Sequence, residues 1–394
     1  MKITDLVLFE LTGEFAAEEE VSQERQAQPL DAYPEFGGRG VPIRDRRPGE
    51  LVTHRATYLE VCTDEGVTGL FGPVDGAHAY VLSHEIRDFV IGRDPLAIET
   101  LWDQLLRRNR HGRSGYYMMA MSALDCALWD LKGKALGQPV YRLLGGPTRD
   151  KVPAYASMLG YSLEREALQR KALEYKEAGY HAQKWFFRWG PGDGPEGAAR
   201  NLSMAVALRE AVAGDVNLMF DAFNSWDVPY AVDMARRIAP LRPLWLEEPG
   251  PVDRLEGLRQ IRLRGGVPVA TGEHLYTRWQ VKQLLAAEAA DVVQADPDWC
   301  GGISELVKIA AVCSSFDLPL YPHGHSLHAA LHVAAACSPT VLPMVEFLFL
   351  HQRNKQRFVK GYLEPVNGAV SLPQTPGLGI EIDPSRVKDR RTLS

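Results

Sequence analysis

The sequence predicts an α/β protein built as a (β/α)8-type TIM barrel, with an α+β module ahead of it. Two observations carry that prediction. Three carboxylates stand at an equal interval, Asp221 in LMFDAF, Glu247 in LWLEEP and Glu273 in VATGE, each 26 residues from the next. Each closes a short apolar run, and about 26 residues is the length of one strand plus one returning helix. The same unit recurs on both sides of the trio, so strand and helix alternate through the second half of the chain and the sheet they build is parallel.

Taken in chain order, MKITDLVLFEL and THRATYLEVCTDEGVTGLFG have the pattern of an antiparallel sheet, its second and third strands joined by the Asp-Glu-Gly turn at Asp64 to Gly66. Between the first two strands, Glu14 to Glu50 is rich in charge, Gly and Pro. A run of this length inside a compact unit is either a substrate lid or a loose insertion. HAYVLSHEIRDFVIG, AIETLWDQLLRR and MAMSALDCALWDLKGKALG follow as amphipathic helices. Together these form an α+β capping domain over residues 1–146.

Residues 147–350 hold eight runs with the character of buried parallel strands: VPAYAS, HAQKWFF, NLMFDAF, LWLEEP, VPVATGE, VVQADP, LPLYPHG and MVEFLF. Gly, Pro or charged residues bound each one. Between them, LSMAVALREAVA, VPYAVDMARRIA and ISELVKIAAVC place apolar residues roughly at i, i+3, i+4 and i+7, one helical face. The segment 351–394, containing LPQTPGLGIEIDPSRV, is too short for a domain and is expected to pack back on the capping module.

A barrel of this kind places its chemistry at the carboxyl ends of its strands. The strands from the second to the eighth end on Lys184, Asp221, Glu247, Glu273, Asp296, His323 and Glu346. A single acid in such a place is ordinarily a helix cap or a solvated loop residue. Seven consecutive strands ending in ionisable groups, after runs almost free of charge, are a site. Three acids on neighbouring strands offer the all-oxygen donor set that a hard divalent cation takes.

Composition narrows the function classes. The 394 residues are 45% hydrophobic and 24% charged, ample for two cores, and the net charge of -6 gives no basic footprint for nucleic acid. No run approaches the length of a membrane span, and VLFEL is too short for the apolar region of a signal peptide. Five scattered cysteines (Cys62, Cys126, Cys300, Cys313 and Cys337) lack CxxC spacing and are expected to be reduced thiols of a cytoplasmic protein.

Other motifs lead elsewhere and are weaker. GPGDGPEG, Gly190 to Gly197, lacks the GK[ST] of a phosphate loop and reads as a strand-to-helix loop. GHSLHAALH holds His325, His328 and His332; the last two share a helical face, but without HExxH they are expected to be polar helix residues and not a zinc site. No GxSxG is present, which argues against an acyl-transfer hydrolase.

The Asp221, Glu247, Glu273 trio followed by Asp296 and His323, together with SALDCALWDLKGKALGQPVYRLLGG at the junction, resembles the mandelate racemase branch of the enolase superfamily. QKWFFRWGPGDGPEG, QADPDWCGG, YPHGHS and VEFLF are most similar to acid-sugar dehydratases of the L-rhamnonate dehydratase type. The resemblance implies the modified, enolase-like barrel and one Mg²⁺ per site, held by Asp221, Glu247 and Glu273 and stabilising the enediolate left when the α-proton departs. Of the adjacent acids, Glu247 keeps the interval and is the expected ligand, with Glu248 supporting it.

By the same resemblance His323 is the base and Asp296 its partner, and the histidine then helps to expel the β-hydroxyl. Asp298 competes for the partner role, and the longer interval favours Asp296. Lys184 matches the first lysine of the family's KxK motif and Glu346 the glutamate that hydrogen-bonds the bound carboxylate. The second lysine, the opposite-face base of racemases, is replaced by Phe186. The implied activity is a lyase that dehydrates a sugar acid to a 2-keto-3-deoxy acid, in a homo-oligomer of the kind that is often octameric in relatives. An epimerase or cycloisomerase, or a recruited member without chemistry, are the alternatives.

Overall fold

The computed structural model describes residues 1–16, 24–33, 35–36 and 49–393. Strands β1 (Ile3–Ala16), β2 (Leu51–Thr63) and β3 (Gly69–Phe71) form an antiparallel sheet in which Leu8 pairs with Leu59 and Leu59 with Phe71. The Asp64-Glu65-Gly66 turn joins β2 to β3, with Gly66 at a φ of +77° that favours glycine. Much of the segment expected to be a lid or insertion (residues 17–23, 34 and 37–48) lies outside the described residues. The part of it that is described reaches the barrel rim: Ala27 N–H donates to the Phe187 carbonyl at 2.8 Å, and Glu24 pairs with Arg188.

The helix Gly115–Ala135 carries the SALDCALWD run and is apolar on nearly all sides because it lies between the capping sheet and the barrel. It ends where Gly137 takes a φ of +64°. Its polar residues hold the backbone of other elements. Asp130 accepts from the N–H groups of Leu70 and Leu378, both at 2.8 Å. Ser122 Oγ accepts from Gly301 N–H at 2.9 Å and Asp125 Oδ2 from Ser304 N–H at 3.0 Å, which clamps the loop that follows the sixth barrel strand.

The barrel strands are β4 (Lys151–Ser157), β5 (Ala182–Phe186), β6 (Asn217–Asp221), β7 (Trp245–Glu247), β8 (Val269–Thr271), β9 (Val292–Val293) and β10 (Val345–Leu348), parallel in sequence order, with β10 returning to β4. The expected seventh strand, LPLYPHG, is reduced to a single bridge between Leu320 and Val293. Pro319 and Pro322 flank Leu320 and Tyr321, so neither flanking residue has an N–H to extend the ladder. Strand β11 (Ala369–Ser371) pairs with β4, and β12 (Asp389–Leu393) adds to the β1 edge of the capping sheet.

Inside the barrel, Tyr155, Ala182, Met219, Trp245, Ala270, Val292 and Tyr321 pack as one cluster, with Met344 against it. This layer is the floor of the site. Side chains two positions further along a strand point the same way, one layer higher. From Ala182, Met219, Trp245, Tyr321 and Met344 that step reaches Lys184, Asp221, Glu247, His323 and Glu346.

The helix Leu327–Ala336 is buried along almost its entire length, so His328 and His332 are not the polar-face residues the sequence suggested. His332 Nδ1 accepts the Tyr141 N–H at 3.1 Å. A proton on that nitrogen would break the bond. Burial holds the His328 pKa down at about 3 and that of His332 at about 4, so both are neutral in the native state. Their contribution to stability is complete above about pH 6.5 and is lost as pH falls towards 4, at about 1.4 kcal/mol per pH unit for each. Urea unfolding is therefore expected to show a loss of about 2 kcal/mol per histidine at about pH 5 relative to neutral pH. His328→Leu should flatten that slope; a slope it leaves unchanged would show that His328 is not a source. Among the described residues no helix is long and apolar enough to cross a membrane.

Candidate active site

Lys184 sits at the centre of the polar layer and is 1% exposed. Its Nζ lies 2.5 Å from Glu247 Oε1, 2.8 Å from Glu346 Oε1 and 3.6 Å from Asp221 Oδ2. Burial opposes its charge, but the carboxylates of Glu247 and Glu346 hold it well above the ordinary lysine range. Glu346 Oε2 accepts the Gly324 N–H at 2.8 Å; despite burial, the ammonium of Lys184 brings this carboxyl down to about 2. Gly324 has no room for a side chain, since a Cβ there would stand 2.7 Å from Glu346 Cγ. The ring of Phe186 is 5.4 Å from Lys184 Nζ, on the strand position where a second lysine would stand.

Register explains how the acids meet. Asp221 and Glu247 are paired across β6 and β7, so their side chains leave the sheet at one level. Glu273 follows β8, and Glu248 turns inward through a φ of +42°. All four are at most 5% exposed. Burial first, and neighbouring carboxylates second, push Asp221 and Glu273 well above the usual carboxylate range and Glu248 to about 8. Of these four buried carboxylates, only Asp221 and Glu247 reach the ammonium of Lys184. This concentration of negative oxygen fits a divalent cation, which would relieve the repulsion.

The four acids are not equivalent. Glu247 is engaged through both oxygens, by Lys184 on one side and by Trp245 Nε1 (2.9 Å) and Gln294 Nε2 (2.6 Å) on the other. Glu248, expected to support Glu247, carries a buried Oε1 without a hydrogen-bond partner among the described residues. One donor atom each from Glu248, Glu273 and His274 lie within 4.8 Å of one another. Residues able to hold a cation are therefore Asp221, Glu247, Glu248 and Glu273.

His323 Nδ1 meets Asp296 Oδ2 at 2.7 Å, and its Nε2 faces the acids, 3.5 Å from Glu273 Oε2. Burial disfavours its charged form, yet Glu273 and Asp296 raise the imidazole to about 10. Asp296 is itself fixed by the N–H groups of Asp298 (2.7 Å) and His325 (3.1 Å). Asp298 bonds to His325 Nδ1 at 2.6 Å and to Lys355, not to His323.

Three residues near the site were not singled out from the sequence. His274 stands beside Glu273. Trp299 packs within 4.9 to 5.6 Å of the rings of His323, His325 and His274. Lys355 comes from the helix Phe349–Lys355 after β10. A signal for His325 was present: Asp296 to His323 and Asp298 to His325 span the same 27 residues.

Comparison with known proteins matches residues 167–386 to the enolase C-terminal domain-like family and residues 48–145 to the mandelate racemase / muconate lactonizing enzyme N-terminal domain. The chain is 33% identical to an L-rhamnonate dehydratase of Saccharopolyspora erythraea, over 98% of this chain and 97% of the relative. It is 34% identical to a D-galactarolactone cycloisomerase of Agrobacterium fabrum, over 86% and 90%. Among solved structures, L-rhamnonate dehydratase from Gibberella zeae superposes with a TM-score of 0.81 at 26% identity, covering 98% of this chain and 94% of that one. The 3,6-anhydro-D-galactonate cycloisomerase from Zobellia galactanivorans gives 0.78 at 26% identity, covering 99% and 100%.

Proposed function

The chain belongs to the mandelate racemase / muconate lactonizing enzyme family of the enolase superfamily, and from that premise we propose that it is a Mg²⁺-dependent sugar-acid dehydratase, forming a 2-keto-3-deoxy acid. The observation that carries this reading is the asymmetry of the site. One side presents the His323–Asp296 pair with Nε2 open to the acids, and the other presents the phenyl ring of Phe186.

In this reading His323 Nε2 takes the proton from C2, and Asp296 holds the ring's orientation and stabilises the imidazolium. A base must begin neutral. Glu273 exerts the largest upward pull on the imidazole, and its engagement by a cation would weaken that pull. A divalent cation among Asp221, Glu247, Glu248 and Glu273 would supply positive charge against the enediolate. Lys184 and Glu346 form the floor under the substrate carboxylate, Lys184 offering its ammonium and Glu346 holding that ammonium in place. Loss of the 3-hydroxyl as water and tautomerisation of the enol complete the reaction.

The cycloisomerase relative supports a second reading with the same base and a different outcome, an isomer in place of a dehydrated product. A library of sugar acids incubated with the protein and Mg²⁺ distinguishes them. Dehydration is expected to give a 2-keto acid lighter by one water. An isomeric product would favour the second reading, and no turnover of any member would exclude the first.

A further inference from the structure

We propose that His325 is a second catalytic histidine, the acid that protonates the departing 3-hydroxyl, while His323 acts only as the base. The inference rests on the dehydratase reading above and assigns to a different residue the proton that the leaving oxygen needs.

Two histidine–aspartate pairs stand side by side. His323 Nδ1 meets Asp296 at 2.7 Å and His325 Nδ1 meets Asp298 at 2.6 Å. The two rings are nearly parallel, at 11°, with centroids 6.5 Å apart. Gly324 fixes the spacing, because its N–H is bonded to Glu346 and a Cβ would collide with that side chain. Trp299 lies 5.0 Å from the His325 ring and 4.9 Å from the His323 ring. The bonds of the His325 ring to described residues go through Nδ1, which leaves Nε2 for another partner. Its side chain is 20% exposed, against 11% for His323. The 6.5 Å between the ring centroids is a separation at which two imidazoles can serve adjacent C2 and C3 substituents of one substrate, each at about 3 Å.

The charge around the two rings differs. His323 faces Asp296 and Glu273, two carboxylates. Asp298 is shared between His325 and the ammonium of Lys355, which also donates to the His325 carbonyl at 2.7 Å. His323 Nε2 is turned towards the acids, as a base for C2 must be, whereas the His325 ring is held on its Nδ1 side by Asp298 and Lys355 and keeps its Nε2 for a donor's role. Lys355 already offsets the charge of Asp298 in the Asp296, Asp298 and His325 cluster, which counts against a cation there. Two other groups fit the acid's role less well. Lys184 is locked among three carboxylates, and His274 stands 3.3 Å from Glu273, one of the acids a cation would take.

The step balances. The C2 proton goes to His323 Nε2 and its bonding pair to the enediolate. That pair returns to form the C2–C3 double bond as the C3–O bond breaks, and the oxygen takes the proton from His325 Nε2 and leaves as water. The enol then gains a proton at C3 and loses its hydroxyl proton, giving the ketone. His325 is reprotonated and His323 deprotonated by solvent, so the net change is the loss of one water.

The test compares a sugar acid the protein accepts with its 3-deoxy-3-fluoro analogue, whose fluoride leaves without a proton. In His325→Gln, dehydration of the hydroxy acid is expected to fall by about 10² or more. Fluoride release and deuterium exchange at C2 in D₂O should stay near the values of the unaltered protein, which also shows that the variant is folded and its base intact. Dehydration that survives the substitution would overturn the assignment. So would an equal fall in dehydration, fluoride release and exchange, since that marks a structural role. Turnover by the unaltered protein reports separately on the dehydratase reading, and the fluoride-to-hydroxide ratio of the variant reports on His325.

Discussion

Asp221→Asn is expected to abolish dehydration and, at the same time, to leave the metal-free protein as stable as before or more so. The opposite signs follow from one arrangement. Asp221 is 3% exposed among Glu247, Glu248 and Glu273, and burial together with Glu247 pushes its carboxyl well above the usual range. Replacing that carboxyl removes the cost of burying it among other acids that only Lys184 and His323 offset, so folding without metal is favoured. A cation gains its affinity from the same charges. For the unaltered protein, Mg²⁺ at about a hundred times its dissociation constant stabilises by about 2.7 kcal/mol, visible as a rise in melting temperature that the variant lacks. Calorimetric titration with Mg²⁺, melting with and without chelator, and turnover should be measured on both proteins. Turnover that persists in Asp221→Asn and after exhaustive chelation would refute a metal site at these acids. A variant that melts far below the chelated unaltered protein would refute the electrostatic account of its stability.

Much of this architecture is legible in the sequence because two periods coincide there. Apolar runs about 26 residues apart set the strands, and the period of two within a strand places Lys184, Asp221, Glu247, His323 and Glu346 one layer above the packed floor of Ala182, Met219, Trp245, Tyr321 and Met344. The seventh strand shrank to a bridge for a reason also written in the chain, the prolines on either side of Leu320 and Tyr321. What stayed hidden depends on torsion angles and on contacts distant in sequence. Glu248 comes into the acid cluster through a φ of +42°, which no spacing announces in a run of two adjacent glutamates. Lys355 reaches Asp298 across 57 residues, and Trp299 gathers three imidazoles from two segments. His328 and His332 looked polar because histidine usually is; burial of their whole helix reversed that.

His323→Asn should be the more severe of the two substitutions in the His323–Asp296 pair. Losing the histidine removes the base, whereas Asp296→Asn removes only its orientation and part of its basicity. A positioned acid or base is typically worth about 10² to 10⁴ in rate, and the larger end is expected here because Phe186 leaves no replacement on the other face of the substrate. One base also fixes the stereochemical outcome: a proton that leaves to His323 can return only from the same side. With an accepted sugar acid in D₂O stopped at partial conversion, any deuterium at C2 of recovered substrate should accompany retained configuration, and the C2 epimer should not form. In His323→Asn both dehydration and this exchange should vanish together, while His325→Gln keeps the exchange and loses the dehydration. Near-normal turnover by His323→Asn, or epimer accumulating as fast as product, would mean that a second base acts from the face of Phe186. Lys184 is the nearest candidate, but it is held by Glu247, Glu346 and Asp221, and that triple contact keeps it protonated and unable to accept a proton.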